Sequence, residues 1–336
     1  MSVRVPHRCD DSSKVVVCLH PNMQIFIQSL IANGQLRSAR KNAYFLWLFW
    51  RWLKEKNLEP LKVTVEDLRA YQCWQSSYCC RKNPPSLRTQ AARLGALRAY
   101  YRFLERRNYI LVDISKELKL PKTRRNTTKK DFLNLQETTA LLQTQAKRSM
   151  AHPQGSRLWA VEVRNLAFFS LAIATGRRMN GLWELVVSDV DFKRNELRVA
   201  QEKGRTGRVL PVVQWAMLAV REYIEKARPT FPTASKTDIL FVNFKNACLN
   251  ECINTQLAKL KDQTAKENPD LEELAGKKIT MHCLRVTFAK LLFNNRCNFR
   301  SINELMLHNR LSTTAYYLPS SLEDLRRACK AAHPRA

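Results

Sequence analysis

Apolar residues recur every three to four positions along most of this chain, and they alternate strictly with polar ones in a single stretch. The densest helical signal is "NAYFLWLFWRWLKEKN" (42–57), apolar nearly all round, with Trp47, Trp50 and Trp52. Such a helix is either enclosed in a core or presents a face to another protein. Further on, Thr64 and Asp67 in "TVEDLRAY" have the spacing of a capping box. Ser86 then caps "LRTQAARLGALRAYYRFLERRN", where Leu87, Leu94, Leu97, Tyr101 and Leu104 keep the rhythm of a core stripe. This predicts four or five helices between residues 21 and 118. A helix near "NLQETTALLQTQAK" follows. Then come a buried helix in "VRNLAFFSLAIATG", a turn at Thr175-Gly176 and another helix. The alternating stretch is "NELRVAQEKGRTGRVLPVV" (195–213), which reads as a hairpin about Gly204–Gly207. Helices return from residue 214. The expected protein is mainly α, with one small β-hairpin.

Length and charge sharpen this picture. The chain has 336 residues, 45% of them apolar, enough for two cores. "LKLPKTRRNTTKKDF" (118–132) is rich in Lys and Arg, with a proline and turn formers, and reads as a linker. The expected division is a flexible arm at 1–20, a helical domain at 21–117, a basic linker at 118–131 and a second domain at 132–336. The formal net charge is +28, and residues 1–127 carry 24 basic against 9 acidic side chains, the remainder 33 against 20. Both halves are basic, which points to a polyanion held along the whole protein, with a membrane surface as the competing partner. Arg88, Arg102 and Arg106 fall to one side of the core stripe, as a solvated basic face or as phosphate contacts. Lys122, Arg124 and Arg125 in the linker could follow a nucleic-acid backbone. No transmembrane span and no secretory leader are expected. The ten cysteines include no Cys-x-x-Cys pair, so reduced thiols in a cytosolic compartment are expected, without zinc or disulfides.

Candidate chemistry concentrates in "HCLRVTFAKLLFNNRCNFRSINELMLHNRLSTTAYYLPSS" (282–321). Leu284, Phe288, Leu291 and Leu292 share one helix face, and His282, Arg285 and Ala289 another, so His282 and Arg285 are expected to project together. Arg178 stands at a helix start after Thr175-Gly176, Lys203 near the hairpin tip, and His308 and Tyr317 towards the C-terminus. Two arginines, a lysine, two histidines and a tyrosine are what phosphodiester cleavage without metal requires. Arginine stays charged and can neutralise non-bridging oxygens. A tyrosine hydroxyl, with a pKa of about 10, must lose its proton as it attacks, and the departing sugar oxygen must gain one.

The order of these residues resembles the tyrosine recombinase (phage integrase) family, of the simple two-domain Xer-like type. "ATGRRMNGLWELVVSDVDF" looks like its first arginine box, "RVAQEKGRTGRVLPV" like its lysine-bearing strand–turn–strand, "HCLRVTFAKLL" like its His-x-x-Arg box and "LMLHNRLSTTAYYL" like its His…Tyr segment. "SARKNAYFLWLFWRWLKEKNL" and the segment from Leu87 resemble its helical core-binding domain. The resemblance covers residues 22–330. It departs at Gly181, where the family usually has an acidic residue that helps hold the basic groups, at Leu307 in place of a glycine, and at Val286 in place of a histidine.

The resemblance implies a mainly α fold: a helical, SAM-like core-binding domain and a mixed catalytic domain with a small β-hairpin or sheet. It implies a site-specific recombinase that cleaves duplex DNA through a 3′-phosphotyrosyl intermediate. Tyr317 would be the nucleophile, Arg178 and Arg285 the phosphate clamps, and Lys203 the general acid. His282 would be a base or proton carrier, and His308 a transition-state hydrogen-bond donor. It implies no cofactor and no metal. The partner would be double-stranded DNA with an inverted-repeat core site, engaged by a homotetramer that is monomeric or dimeric when free, with accessory DNA-bending proteins and a cytoplasmic, nucleoid-associated location. A terminal helix at 321–332 would dock on a neighbouring subunit. The alternatives are a topoisomerase IB-like enzyme or telomere resolvase, which share the catalytic set, and a non-catalytic architectural DNA-binding protein.

Overall fold

The computed structural model describes residues 18–77, 84–122, 131–199, 207–244 and 253–307. The chain divides into two compact units, Met1–Thr127 and Thr128–Ala336.

The first unit holds α1 (Pro21–Ala32), α2 (Leu36–Glu55), α3 (Val65–Ser77), α4 (Leu87–Arg106) and a 3-10 turn at Ile114–Glu117. Three of the helices begin where the sequence supplies a cap. Pro21 opens α1 behind His20, whose ring accepts from the Asn22 amide. The Thr64 amide donates to Asp67 Oδ2 (2.9 Å) and the Asp67 amide to Thr64 Oγ1 (3.2 Å), completing the capping box. Ser86 Oγ accepts from the Thr89 amide.

The apolar surface of α2 goes mostly into the core: Leu46, Leu48, Phe49 and Leu53 are enclosed, while Tyr44 stays exposed. Phe49 and Trp52 both meet the Tyr71 ring edge-on, at centroid distances of 4.9 and 5.4 Å, the geometry that adds to burial energy. On α4 the expected stripe is buried from Leu94 onward, but Leu87 is 56% exposed, because it occupies the first helical position beside the cap, ahead of the buried stripe. Leu19 is already buried in the core, so the chain enters the fold before residue 21. Residues 1–17 of the expected arm lie outside the described residues, as do linker residues 123–130 and the terminal segment 321–332.

The second unit contains α5 (Leu135–Met150), α6 (Arg157–Thr175), α7 (Met179–Trp183), three strands, α8 (Gln214–Glu222), α9 (Ile253–Glu267), α10 (Glu272–Gly276), α11 (Met281–Asn294) and α12 (Phe299–Leu305). The centre is α6, with 14 of its 19 residues buried. Among the described residues it is the one helix long and apolar enough to cross a membrane, and 78% of that window is buried inside the fold, so its composition is that of a core helix.

The strands β1 (Val190–Asp191), β2 (Glu196–Val199) and β3 (Arg208–Pro211) form an antiparallel sheet in chain order. The expected hairpin is β2–β3, in register from Glu196 opposite Pro211 to Val199 opposite Arg208. Leu197 and Val199 point into the core with the period of two that alternation requires. β1 is an addition that periodicity does not reveal, since two residues carry no pattern. Its turn is set by Asp191, whose side chain accepts from the Lys193 and Arg194 amides, and by Asn195 in the left-handed region (φ +53°).

Three long-range links fasten the start of this unit to the segment around α11. The Lys278 amide donates to Asp131 Oδ2 (2.8 Å), the Leu133 amide to Thr287 Oγ1 (2.9 Å), and the Lys277 ammonium to both Glu137 oxygens (2.7 and 2.9 Å). Glu137 also closes the capping box of α5 with Asn134.

Candidate active site

The site grows out of the end of α6. Thr175 Oγ1 turns back onto the Leu171 carbonyl, and Gly176 ends the helix at φ +58°. Two constraints require glycine there. The left-handed conformation is costly for other residues, and a Cβ would run into the Phe288 ring of α11. With Gly176 in place, the chain passes directly to Arg177 and Arg178. Arg178 is the N-cap of α7 and is exposed, while Arg177 is 7% exposed.

α11 begins behind Thr280, whose side chain accepts from the Cys283 amide. His282, in its first turn, is half-buried. Arg285, one turn later, does not project beside it as the helical spacing leads one to expect: it is 2% exposed. Its Nη1 donates to the Gly176 carbonyl and its Nη2 to the Met306 carbonyl, both at 2.6 Å. Helical periodicity sees only a face free of leucines. It cannot see two carbonyls that the fold brings to that face, one from the first arginine box and one two residues ahead of His308. A guanidinium offers five donors in a fixed fork, so a single side chain can hold both segments. Arg285 is thereby the point at which three of the four motif segments meet.

A second bridge lies in α9. Asn254 Oδ1 accepts from the Met281 amide (3.0 Å) and its Nδ2 faces the Met179 sulfur (3.7 Å). Met281 precedes His282 and Met179 follows Arg178, so Asn254 spaces the two boxes from below. Asn254, Thr287 and Arg177 are the residues that motif reading misses. The available signal is weak: a lone polar residue on an amphipathic helix, and a second arginine beside the first.

The anchoring lysine carries the electrostatic signature of its position. Burial alone would lower the Lys277 pKa, but hydrogen bonds and charge from Glu137 and Glu273 outweigh it and hold the ammonium above its ordinary value. Leu307, the last described residue, sits at φ +52°. That is a conformation a glycine adopts freely and a leucine only at a cost.

Of the other expected positions, Arg88, Arg102, Arg106 and Lys122 are exposed in the first unit. Lys203, His308, Tyr317, Arg124 and Arg125 lie outside the described residues. In the chain Lys203 falls between Val199 and Arg208, which pair with each other across β2 and β3.

A helical first unit, followed by a second built on a buried central helix and a small antiparallel sheet, fits the two-domain plan that the resemblance to the tyrosine recombinases implies. Comparison with known proteins agrees. Residues 132–323 match the phage integrase family. The tyrosine recombinase XerC of Bacillus subtilis strain 168 is 30% identical over 257 residues, spanning 75% of this chain and 76% of that one. Its counterpart in Oceanobacillus iheyensis is 29% identical over 298 residues, 87% and 88% of the two chains. Among solved structures, the XerH site-specific recombinase in a pre-cleavage complex with its difH substrate superposes with a TM-score of 0.62 at 20% identity, covering 95% of this chain and 84% of that one. The chain belongs to the phage integrase family: it is a tyrosine recombinase, an enzyme of site-specific DNA recombination.

Proposed function

We propose that this recombinase cuts duplex DNA by attack of Tyr317 on a backbone phosphate, leaving a 3′-phosphotyrosyl link and a free 5′-hydroxyl. A 5′-hydroxyl from a partner duplex then reverses the step. The bond energy is kept in the link, so the cycle requires no ATP. Arg178 and Arg285 neutralise the non-bridging oxygens, Lys203 protonates the leaving oxygen, His282 serves as base or proton carrier, and His308 donates a hydrogen bond to the transition state. Double-stranded DNA with an inverted-repeat core is the substrate. Four copies assemble on two sites, accessory bending proteins assist, and the work is done on cytoplasmic DNA. The basic charge of both halves supports the DNA partner, as do the neighbours solved with DNA, such as XerH with difH and the Tn1549 integrase with circular intermediate DNA.

The observation that carries the reading is the pair of hydrogen bonds from Arg285 to Gly176 and Met306. They gather the arginine, histidine–arginine and histidine segments around one buried guanidinium, and no feature of the described residues favours the non-cutting or relaxing alternatives. The test is covalent trapping. The protein is incubated with fragmented DNA of its source, denatured and captured, and the attached DNA is sequenced, with Tyr317→Phe and Tyr316→Phe alongside. Adducts lost only in Tyr317→Phe are expected. Adducts that persist in Tyr317→Phe, or never form, refute the assignment.

A further inference from the structure

Arg177 is not one of the six expected catalytic positions, yet the fold encloses its guanidinium almost completely. Its amide faces Thr175 Oγ1 (3.4 Å), and its Nη2 donates to the Gly181 carbonyl at 3.2 Å. The side chain therefore spans α7 from the residue ahead of its N-cap to its C-terminal turn. α7 needs such support. It has five residues, too few to be stable alone, and its N-cap, Arg178, makes no capping side-chain hydrogen bond. The Gly181 carbonyl is among those a helix end leaves without an intrahelical donor, and a cation at a helix C-terminus is favoured.

Gly181 is fitted to the same arrangement. A Cβ there would lie 2.5 Å from Arg177 Nη2 and 3.1 Å from both Cζ and Nε, so any side chain at 181 would displace the guanidinium. Gly181 and Arg177 are thus one feature: the space over residue 181 is filled from position 177.

We propose that Arg177 is a positioning residue for strand cleavage, its guanidinium bracketing α7 over Gly181 so that the exposed Arg178 is aimed at the scissile phosphate. This rests on the cleavage reaction proposed above. Arg177 is not among the residues proposed to contact the phosphate; its guanidinium is held on the Gly181 carbonyl, and it acts through Arg178.

The experiment measures single-turnover adduct formation on a duplex bearing the trapped site, with either a phosphate or a neutral methylphosphonate at the scissile position. Wild type is compared with Arg177→Met, Arg177→Lys and Gly181→Ala. A neutral linkage has no charge for Arg178 to offset, so a defect confined to its aim shrinks on that substrate. The expected result for Arg177→Met and Gly181→Ala is adduct formation slowed by about 10- to 100-fold on phosphate. The deficit should be smaller on methylphosphonate, DNA affinity should be unchanged, and Arg177→Lys should recover part of the rate. If Arg177→Met fails to fold, Gly181→Ala decides, because it keeps the arginine and moves only its head group. Wild-type rates in both variants, or equal losses on the two linkages, overturn the positioning role alone. No wild-type adduct on the phosphate duplex overturns the cleavage mechanism and this inference together.

Discussion

Replacing Arg285 separates its structural duty from the phosphate clamping proposed for it, because the structure sets a stability cost that the exposed Arg178 does not share. Arg285 is 2% exposed, and its guanidinium donates to two backbone carbonyls, of Gly176 and Met306. A hydrogen bond from a charged donor contributes about 1.5–3 kcal/mol, so the pair contributes about 3–6 kcal/mol. Arg285→Ala forfeits both and leaves the carbonyls without this donor. Arg285→Lys has a single ammonium and can keep one, so about half the loss is expected. Against a typical domain stability of about 5–15 kcal/mol, the alanine variant is severely weakened. Arg178→Ala should leave stability near wild type, since that side chain is exposed. The assay is urea unfolding of wild type and the three variants, followed with a tryptophan signal of the second unit, alongside covalent trapping. Loss of adduct is expected for both alanine variants, but a lowered unfolding midpoint only at 285. An Arg285→Ala protein as stable as wild type would refute the claim that this guanidinium holds the motif segments together.

Two further outcomes are expected. The Lys277 pKa is raised in the fold, so its contribution is complete below the ordinary value of 10.5 and is lost only as pH rises through the higher folded value. Lys277→Met, which leaves the buried Glu137 carboxylate without its lysine, should therefore cost about 3–5 kcal/mol at neutral pH. As the pH is raised from neutral, that gap to wild type should persist until the lysine loses its proton, and a gap that closes between neutral pH and about pH 9 contradicts the assignment. On the exposed face of α4, replacing Arg102 and Arg106 with glutamine should flatten the dependence of log K on log salt by about 0.9 for each phosphate that is no longer neutralised. An unchanged slope in filter binding or fluorescence anisotropy would mean that this face is merely solvated.

The helices and the hairpin are legible because each rests on a local pattern: caps at Ser86 and Thr64, a stripe from Leu94 to Leu104, alternation around residue 197. β1 is too short to carry a pattern, and it exists because the neighbouring strand offers it a partner. The motif order points to the family before any coordinates, and the comparisons agree. What remains hidden is how the site is held. The burial of Arg285 depends on carbonyls 109 and 21 residues away in the chain. The meaning of Gly181 depends on where the Arg177 side chain folds, so the substitution is visible in sequence but its filling is not.

The bonds that fasten the start of the second unit to α11 also govern when the site can come into being. Leu133 and Thr287 are 154 residues apart in the chain, and Glu137 and Lys277 are 140 apart. A chain leaving the ribosome from its N-terminus at about 5–20 residues per second carries α5 in the open for about 8–30 s before α11 follows. For most of that interval the first arginine box is already made, but Arg285 has not yet been synthesised. A half-finished polypeptide of this kind carries the basic charge of its first unit, yet it has no assembled site at which a DNA strand could be cut.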